Sequence, residues 1–326
     1  MPRVLHLGPY ESNGGMRTVM RTLVEFPPNG WHASALSTHK EGSMVSKWRQ
    51  YRLSFSTFKA MCNSDQPPDV IHLHTASDWS WIRKKKFLNY ARKNNLPCVV
   101  HLHSGKMYTW LIHNKTDPSK SKRMQEFVAI SNDPGVRFVV LSEHWLEKFE
   151  PFASSITSIS NPVHPRFSPR PEIERVPGKL LLLGRDIPAK NHNFAVKIAN
   201  EIGPSVSLWM TGVSGKQEGN IHRLGWVSDE ELLTHLHTAD MVLIPSDFEG
   251  QPMVALEALA CGTKVLASPH VFPISGMQRV RTHTIEDWKN TIIEMLQHKE
   301  HVEMYASSQI ENVQQQWRSV YESLLQ

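Results

Sequence analysis

A short apolar run that ends in a glycine- or proline-bearing turn and leads into an amphipathic helix recurs along this 326-residue chain. It constrains the fold more than any other feature. Val4-Leu5-His6-Leu7 stops at Gly8-Pro9 and reads as a buried strand. Asn13-Gly14-Gly15 follows, and Met16, Val19, Met20, Leu23 and Val24 then fall at helical spacing up to Phe26. The pattern returns at Asp69–His74, with a helix near Asp78–Asn94, and at the strand Cys98–His103. At Phe138–Leu141 a further strand leads to Ser142, placed to cap a helix with Glu143 in its first turn. Strands alternating with helices predict a parallel sheet covered on both faces.

Pro162, Pro165, Pro169, Pro171 and Pro177, with Pro151 just upstream, mark the segment Asn161–Gly178 as a linker. A second alternating half follows, with strands expected at Lys179–Leu183, Val206–Thr211, Met241–Pro245 and Lys264–Ser268. Helices are expected near Asn193–Ile202, Asp229–Leu236 and Met253–Ala260, and Ser228 before Asp229-Glu230-Glu231 is a strong helix start. An amphipathic helix over about Val302–Leu325 closes the chain, with Trp317 and Tyr321 on one face. The whole reads as two Rossmann-like domains in tandem, with ligands expected at the carboxyl ends of the strands.

Composition narrows the class. Hydrophobic residues make up 40% and charged residues 21%, which excludes a disordered or collagen-like chain. Three widely spaced cysteines (Cys62, Cys98, Cys261) fit a reducing compartment. No apolar run reaches the ~18 residues of a membrane span, and Arg3 precedes too short an apolar stretch for a signal peptide, so a cytoplasmic location is expected. The net charge of +5 is unevenly divided: residues 1–168 hold 22 basic and 12 acidic side chains, a net of +10, leaving −5 for residues 169–326. A split of this size points the first half toward something anionic, and nucleic acid, a membrane surface and a phosphorylated substrate all fit the charge.

Several residues carry chemistry by position. Gly14 and Gly15 open a helix after the first strand, where backbone N–H groups can approach a phosphate or where a tight turn alone is needed. The strict Gly-x-Gly-x-x-Gly and Gly-Lys-Ser/Thr patterns are absent. Arg185 and Lys190 lie beyond the strand ending at Gly184, a fork and a point charge suited to a diphosphate. In Pro245–Gly262, Glu249 sits in a loop and Glu257 in the following helix. A step of eight residues would put both on one helical face, and carboxylates accept diol hydroxyls well. His72, His74, His101 and His103 form two His-x-His pairs whose alternate positions share a strand face. With no cysteine or carboxylate poised to complete a zinc site, they read as cleft-lining side chains. Residues 79–87 (Trp79-Ser80-Trp81-Ile82-Arg83-Lys84-Lys85-Lys86-Phe87) combine aromatics with cations, as a helix in a membrane interface does. Nucleic acid is not an expected partner.

The run Glu249 to Glu257 resembles the Glu-seven-residues-Glu motif of retaining glycosyltransferases of the GT-B fold, family 4 in particular (glycosyl transferases group 1). Other landmarks of that family stand in order: Gly14-Gly15, Asp69–His74, the strand ending at His103, Val140–Glu143, Ile159–Val163, Gly184-Arg185 with Lys190, Leu224–Val227, and Ala239-Asp240 leading to Pro245-Ser246. The resemblance spans nearly the whole chain. It implies an α/β protein of two Rossmann-like domains whose parallel sheets face across a central cleft. The acceptor-side domain would span 1–165 and the donor domain 166–305, with a C-terminal helix over about 306–326 packing back on the first. Closure of the cleft would expel water.

The resemblance also implies roles. Arg185 and Lys190 would bind the donor diphosphate and stabilise it as it leaves. Glu257 would hold the ribose hydroxyls and Glu249 those of the donor sugar, while His103 would contact that sugar from the first domain. Gly14 and Gly15 would leave room for phosphate or acceptor. The backbone at Trp226 and Val227 would receive the base, and Gly250, Gln251, Pro252, Met253 and Val254 would complete the donor site. The implied enzyme is a retaining glycosyltransferase needing neither metal nor cofactor. It would move a hexose or N-acetylhexosamine from a nucleotide-sugar, UDP favoured over GDP, to a lipid-linked or polysaccharide hydroxyl in cell-envelope glycan synthesis, at the inner face of the membrane. Another GT-B enzyme such as a nucleotide-sugar epimerase, or a non-catalytic nucleotide-sugar binding protein, are the alternatives. Intact Arg185, Lys190, Glu249 and Glu257 argue against the last. Two departures bear on the sugar: Gln251 replaces an aromatic or glycine, and Pro269–Met277 replaces the family's Gly-Gly-x-x-Glu segment after Ser268.

Overall fold

The computed structural model describes residues 1–113, 117–298, 302 and 305–326. They form two compact units, one of Met1–Pro162 with Ile310–Gln326 and one of Val163–Gln309. In the first unit, strands and helices alternate as β1 (Arg3–Gly8), α1 (Gly15–Glu25), β2 (His32–Ser37), α2 (Met44–Cys62), β3 (Val70–Thr75), α3 (Trp79–Lys93), β4 (Cys98–Leu102), α4 (Met107–Ile112), α5 (Lys122–Ser131), β5 (Val136–Val140), α6 (Glu143–Phe149) and β6 (Ile156–Ser158). All strands pair in parallel in the order β2-β1-β3-β4-β5-β6.

The second unit runs β7 (Val176–Leu182), α7 (His192–Ile202), β8 (Ser207–Thr211), β9 (Ile221–Gly225), α8 (Asp229–Thr238), β10 (Ala239–Ile244), α9 (Met253–Ala260), β11 (Lys264–Ala267), β12 (Gln278–Arg279) and α10 (Ile285–Gln297). Its strands are parallel too, ordered β12-β11-β10-β7-β8-β9. The last helix, α11 (Ile310–Glu322), belongs to the first unit. The expected α/β class with two parallel, doubly wound sheets is the class found.

Period-2 geometry gives the first sheet two different faces. Leu5, Leu7, Ile71, Leu73, Cys98, Val100 and Phe138 point into an apolar core with Phe58, Trp81, Phe87 and Phe127. The opposite face carries His6, His72, His74 and His101, each almost fully buried. Helix α11 covers this face: Trp317 packs on His72 and His101 with ring centroids 4.4 and 5.0 Å apart, and Tyr321 Oη lies 2.7 Å from His72 Nδ1. These four histidines are therefore core residues of the first unit, and for His72, His74 and His101 this replaces the expected cleft-lining position. In the second unit Leu180, Leu182, Met241 and Leu243 pack with Ala195, Ile198, Trp288 and Ile292.

Some local expectations change. Ser142 precedes α6 but its hydroxyl makes no cap bond, whereas Ser228 and Glu231 form the full capping box of α8. The proline-rich segment is pinned to the second unit rather than free. Arg175 donates to the carbonyls of Ala239 and Gly262 at 2.6 and 2.7 Å, and to Thr263 Oγ1 at 2.8 Å. The closing helix starts at Ile310 instead of near Val302, after a 3₁₀ turn at Ala306–Ser308; residues 303–304 of the expected helix lie outside the described residues. Burial of Trp317 beneath no solvent at all predicts that Trp317→Ala destabilises the protein by about 3–5 kcal/mol, read as a lowered urea midpoint with unchanged far-UV circular dichroism of the folded state.

Candidate functional site

In the second sheet the strand order reverses between β7 and β10, so the chain leaves these neighbouring strands in opposite directions and their loops part at the carboxyl ends. Gly184, Gly212 and Gly225 follow or end β7, β8 and β9, with φ of 136°, 73° and 68°. A Cβ on Gly212 would lie 2.2 Å from the Gly184 carbonyl oxygen, so only glycine lets these turns approach so closely. Arg185 is exposed and forms no ion pair among the described residues. Beyond it, Asn191 in the left-handed region donates from Nδ2 to the Pro245 carbonyl at 2.9 Å and to Asp247 Oδ1 at 2.6 Å, and the Asp247 N–H donates to the Ala189 carbonyl at 3.0 Å. These bonds tie the loop after β7 to the loop after β10.

Lys190 and Glu249 meet where the two loops are tied. Lys190 Nζ lies 2.5 Å from Glu249 Oε1, both side chains about four-fifths buried, and Ser246 Oγ donates to the same oxygen at 3.0 Å. A shallow pocket beside them is lined by Leu183, Lys190, Pro245, Ser246, Pro252 and Val254. Gly250 and Gln251 are half-buried in the loop, Pro252 caps α9, and Met253 and Val254 open it. Because α9 begins only at Met253, Glu249 and Glu257 do not share a helical face. The expected one-face pairing fails, and each carboxyl has its own surroundings.

Glu257 is buried inside α9, and burial pushes its pKa up to about 8, against the pull of the Arg166 guanidinium. Arg166 in turn pairs with Asp229 at 2.7 Å. Trp226 and Val227 follow β9 just before the α8 cap, and Trp226 stands exposed to solvent. Arg166, Asn191 and the buried His192, whose ring nitrogens have no hydrogen-bond partner, escaped the sequence reading, and Ser246 was read only as part of the Pro245-Ser246 landmark without a role. Arg166 and His192 carry no pattern of their own, and Asn191 was visible only as the neighbour of Lys190.

The remaining expected site residues lie in the first unit. Gly14, with φ 136°, and Gly15 are exposed at the N-terminus of α1, where the Gly14 carbonyl accepts from the N–H groups of Arg17 and Thr18. His103 follows β4, half-buried, with Nε2 3.0 Å from His74 Nδ1; burial pushes its pKa down to about 3, so its imidazole is neutral. In residues 79–87 the aromatics divide. Trp81 and Phe87 enter the core, and Lys84 is buried with Nζ 2.6 Å from Thr38 Oγ1, leaving Trp79 and Ile82 outside.

Residues 177–298 match the family model of glycosyl transferases group 1. Over 80 residues the chain is 32% identical to the amylovoran biosynthesis glycosyltransferase AmsK of Erwinia amylovora, covering 23% of this chain and about a fifth (19%) of that relative's length. The sucrose-phosphate synthase of Thermosynechococcus elongatus superposes with a TM-score of 0.68 at 16% identity, over 100% of this chain and 95% of that one. Anabaena Alr3699/HepE, in complex with UDP and glucose, superposes with a TM-score of 0.69 at 13% identity, over 99% of this chain and 100% of that one. The fold is that of the GT-B glycosyltransferases. Residues 177–298 are a glycosyl transferases group 1 domain, the family to which the sequence motifs pointed.

The raised pKa of Glu257 has a measurable sign. The folded chain holds this proton up to about pH 8, while the unfolded chain releases it near the ordinary value of 4.5. Between these values the folded state binds more protons, so stability falls as pH rises, by up to about 1.4 kcal/mol per pH unit. Glu257→Gln should remove that contribution, seen as a flatter dependence of urea stability on pH than in the unchanged protein.

Proposed function

We propose that the protein transfers a hexose or N-acetylhexosamine from a nucleotide-sugar, UDP in the first instance, to a hydroxyl of a lipid-linked or polysaccharide acceptor, with retention and without a metal ion. The observation that carries this reading is the Lys190–Glu249 pair, held at the strand-order reversal beside the exposed Arg185. A diphosphate placed there replaces Glu249 as the partner of Lys190, with Arg185 offering its planar fork to a second phosphate oxygen. Glu249, released from the ammonium, accepts the sugar hydroxyls. As the bond from the anomeric carbon to the diphosphate oxygen breaks, the two cations stabilise the charge that develops. The acceptor oxygen bonds the same carbon, and its proton passes to the departing phosphate. Ribose hydroxyls donating to Glu257 favour its charged form. The UDP bound in the HepE structure supports the nucleotide, and the AmsK match supports polysaccharide synthesis.

The acceptor-side reading rests on the first unit. Helix α2, packed against α3, exposes Met44, Val45, Trp48 and Leu53, with the Arg52 guanidinium 4.8 Å from the Trp48 ring centre, and α3 adds the exposed Trp79. Apolar tips among cations fit the interface of an anionic membrane, where a lipid-linked acceptor resides. Among the described residues no helix is long and apolar enough to cross a membrane.

Two measurements test these readings. A thermal-shift series with UDP, GDP, ADP and dTDP should single out one nucleotide, which at 100 times its dissociation constant adds about 2.7 kcal/mol of stability. Lys190→Ala should lose that shift, and Glu249→Ala should keep it while transfer of labelled sugar falls by about 10²–10³-fold. Full transfer by both variants would reassign the site, and release of free nucleotide without acceptor would indicate an epimerase. For the membrane surface, Trp48→Ala with Trp79→Ala should weaken sedimentation with anionic phospholipid vesicles at least about tenfold, each exposed aromatic contributing roughly 1 kcal/mol or more; unchanged binding would remove this surface from the acceptor path.

A further inference from the structure

Five imidazoles from β1, β3 and the end of β4 meet beneath α11, linked in two chains. In one, His74 is central: its Nε2 lies 2.9 Å from His6 Nδ1, and its Nδ1 lies 3.0 Å from His103 Nε2. In the other, Tyr321 Oη lies 2.7 Å from His72 Nδ1, and His72 Nε2 lies 3.2 Å from His101 Nδ1. The second chain ends on a buried atom with no hydrogen-bond partner, His101 Nε2. A buried polar atom left in this way calls for a ligand. His101 also stacks near His103, with ring centroids 4.0 Å apart, and one ring nitrogen from each of His74, His101 and His103 lies within 4.8 Å of the others.

We propose that His74, His101 and His103 bind a zinc-class divalent metal ion, with His6 and the His72–Tyr321 pair orienting two of the ligands. Neutral imidazole nitrogens suit zinc, copper and nickel, and three of them with one open position form a known tetrahedral arrangement. Zinc–nitrogen bonds of about 2.0–2.1 Å place ligand nitrogens about 3.4 Å apart. The His74 and His103 nitrogens, 3.0 Å apart, need to open by only about 0.4 Å to reach that separation, and a ring nitrogen of His101 lies within 4.8 Å of both.

The tautomers close without conflict. His74 coordinates through Nδ1 and donates Nε2–H to His6. His101 coordinates through Nε2 and donates Nδ1–H to His72 Nε2, and His72 donates Nδ1–H to Tyr321 Oη. Each ligand of known partner thus gives its second nitrogen to an orienting acceptor, the usual device at metal-bound histidine. Coordination displaces one hydrogen bond, that between His74 and His103. Burial keeps all three rings neutral, so the metal meets no competing proton at neutral pH. The other histidine trio, His6, His72 and His74, is less suited: both nitrogens of His72 are already committed, to Tyr321 and to His101. His103, half-buried, gives the ion its side of entry.

The site shares His103 with the sugar contact that the resemblance implies but does not rest on the transferase reading, and its test reads metal alone. Protein carrying no polyhistidine tag is dialysed against zinc chloride, and separately cobalt chloride, and its metal content and visible spectrum are recorded. One equivalent of zinc and the intense visible bands of tetrahedral cobalt are expected. His101→Ala and His103→Gln should each weaken binding by more than the ten- to hundredfold typical of orienting partners, and His6→Phe by about that amount. Far-UV circular dichroism shows which variants fold; His103→Gln changes a half-exposed ring and keeps the comparison open if His101→Ala unfolds. No stoichiometric metal on the unchanged protein, metal retained undiminished by a folded variant, or an octahedral cobalt spectrum would each overturn the proposal.

Discussion

The reversal of strand order between β7 and β10 is the constraint on which the site depends. Parallel neighbours must be joined by crossovers, and where successive crossovers run outward from a central pair of strands the loops separate. That opening leaves backbone and side chains without the cover they have elsewhere along the sheet edge. The chain fills it with a salt bridge instead of apolar residues. Lys190 and Glu249 are each costly to hold away from water alone, and each offsets the other. Asn191 and the Asp247 backbone and carboxylate fix the two loops that carry them, so the pair is pre-positioned by bonds outside itself. A site built in this way keeps its shape when one charge changes partner, which is what the proposed exchange of Glu249 for a diphosphate would require.

The first sheet solves a different problem. A parallel sheet is buried on both faces and ordinarily lined with aliphatic side chains. Here one face is aliphatic and aromatic, and the other is built of imidazoles. Burial penalises only the charged form, so neutral histidines bonded to one another and to Tyr321 are tolerated. The cover for that face comes from the far end of the chain, since Trp317 and Tyr321 of α11 lie more than two hundred positions from the histidines they pack on, 249 in the case of Tyr321 and His72. The first unit is therefore complete only when the whole second unit has been synthesised between its parts.

What was legible in the sequence follows from where one physical signal dominates. The strands around Leu5, Ile71, Val100, Leu181 and Val242 are runs of fully buried residues bounded by turns, and they were readable. So were α1, with its helical apolar spacing, and the Ser228 cap of α8. Edge strand β2, His-Ala-Ser-Ala-Leu-Ser, has one neighbour and small polar residues, so no period-2 pattern marks it. Helix α2 buries only Ser54, Phe58 and Cys62 and turns apolar residues outward, which erases the amphipathic signature. Helix α10 had a readable start in Thr284, which accepts from the Asp287 N–H, and was overlooked. In the site, the Glu249–Glu257 spacing was visible, but the separate fates of the two carboxyls were not. Those depend on where α9 begins and on Arg166, ninety-one positions before Glu257, which only the folded chain brings near it.

The charge of the first half shows why composition alone could not identify its partner. Among the cations of the first half, Lys84 is sealed inside against Thr38, Lys85 is paired with Glu126, and Arg92 is held in a fork by Asp133 and the Leu96 carbonyl. These cannot present a field to a distant anion. Lys47, Arg49 and Arg52 on α2 form no ion pair among the described residues, and they alternate with the exposed Met44, Val45 and Trp48. A free phosphate or a polyanion in water needs only the cations and would leave those apolar side chains in contact with solvent. A lipid surface takes both at once, headgroups on the cations and acyl boundary on the apolar tips. The pairing of charge with exposed apolar area, and not the net charge itself, is what distinguishes a membrane from the other anions that a basic half-chain could meet.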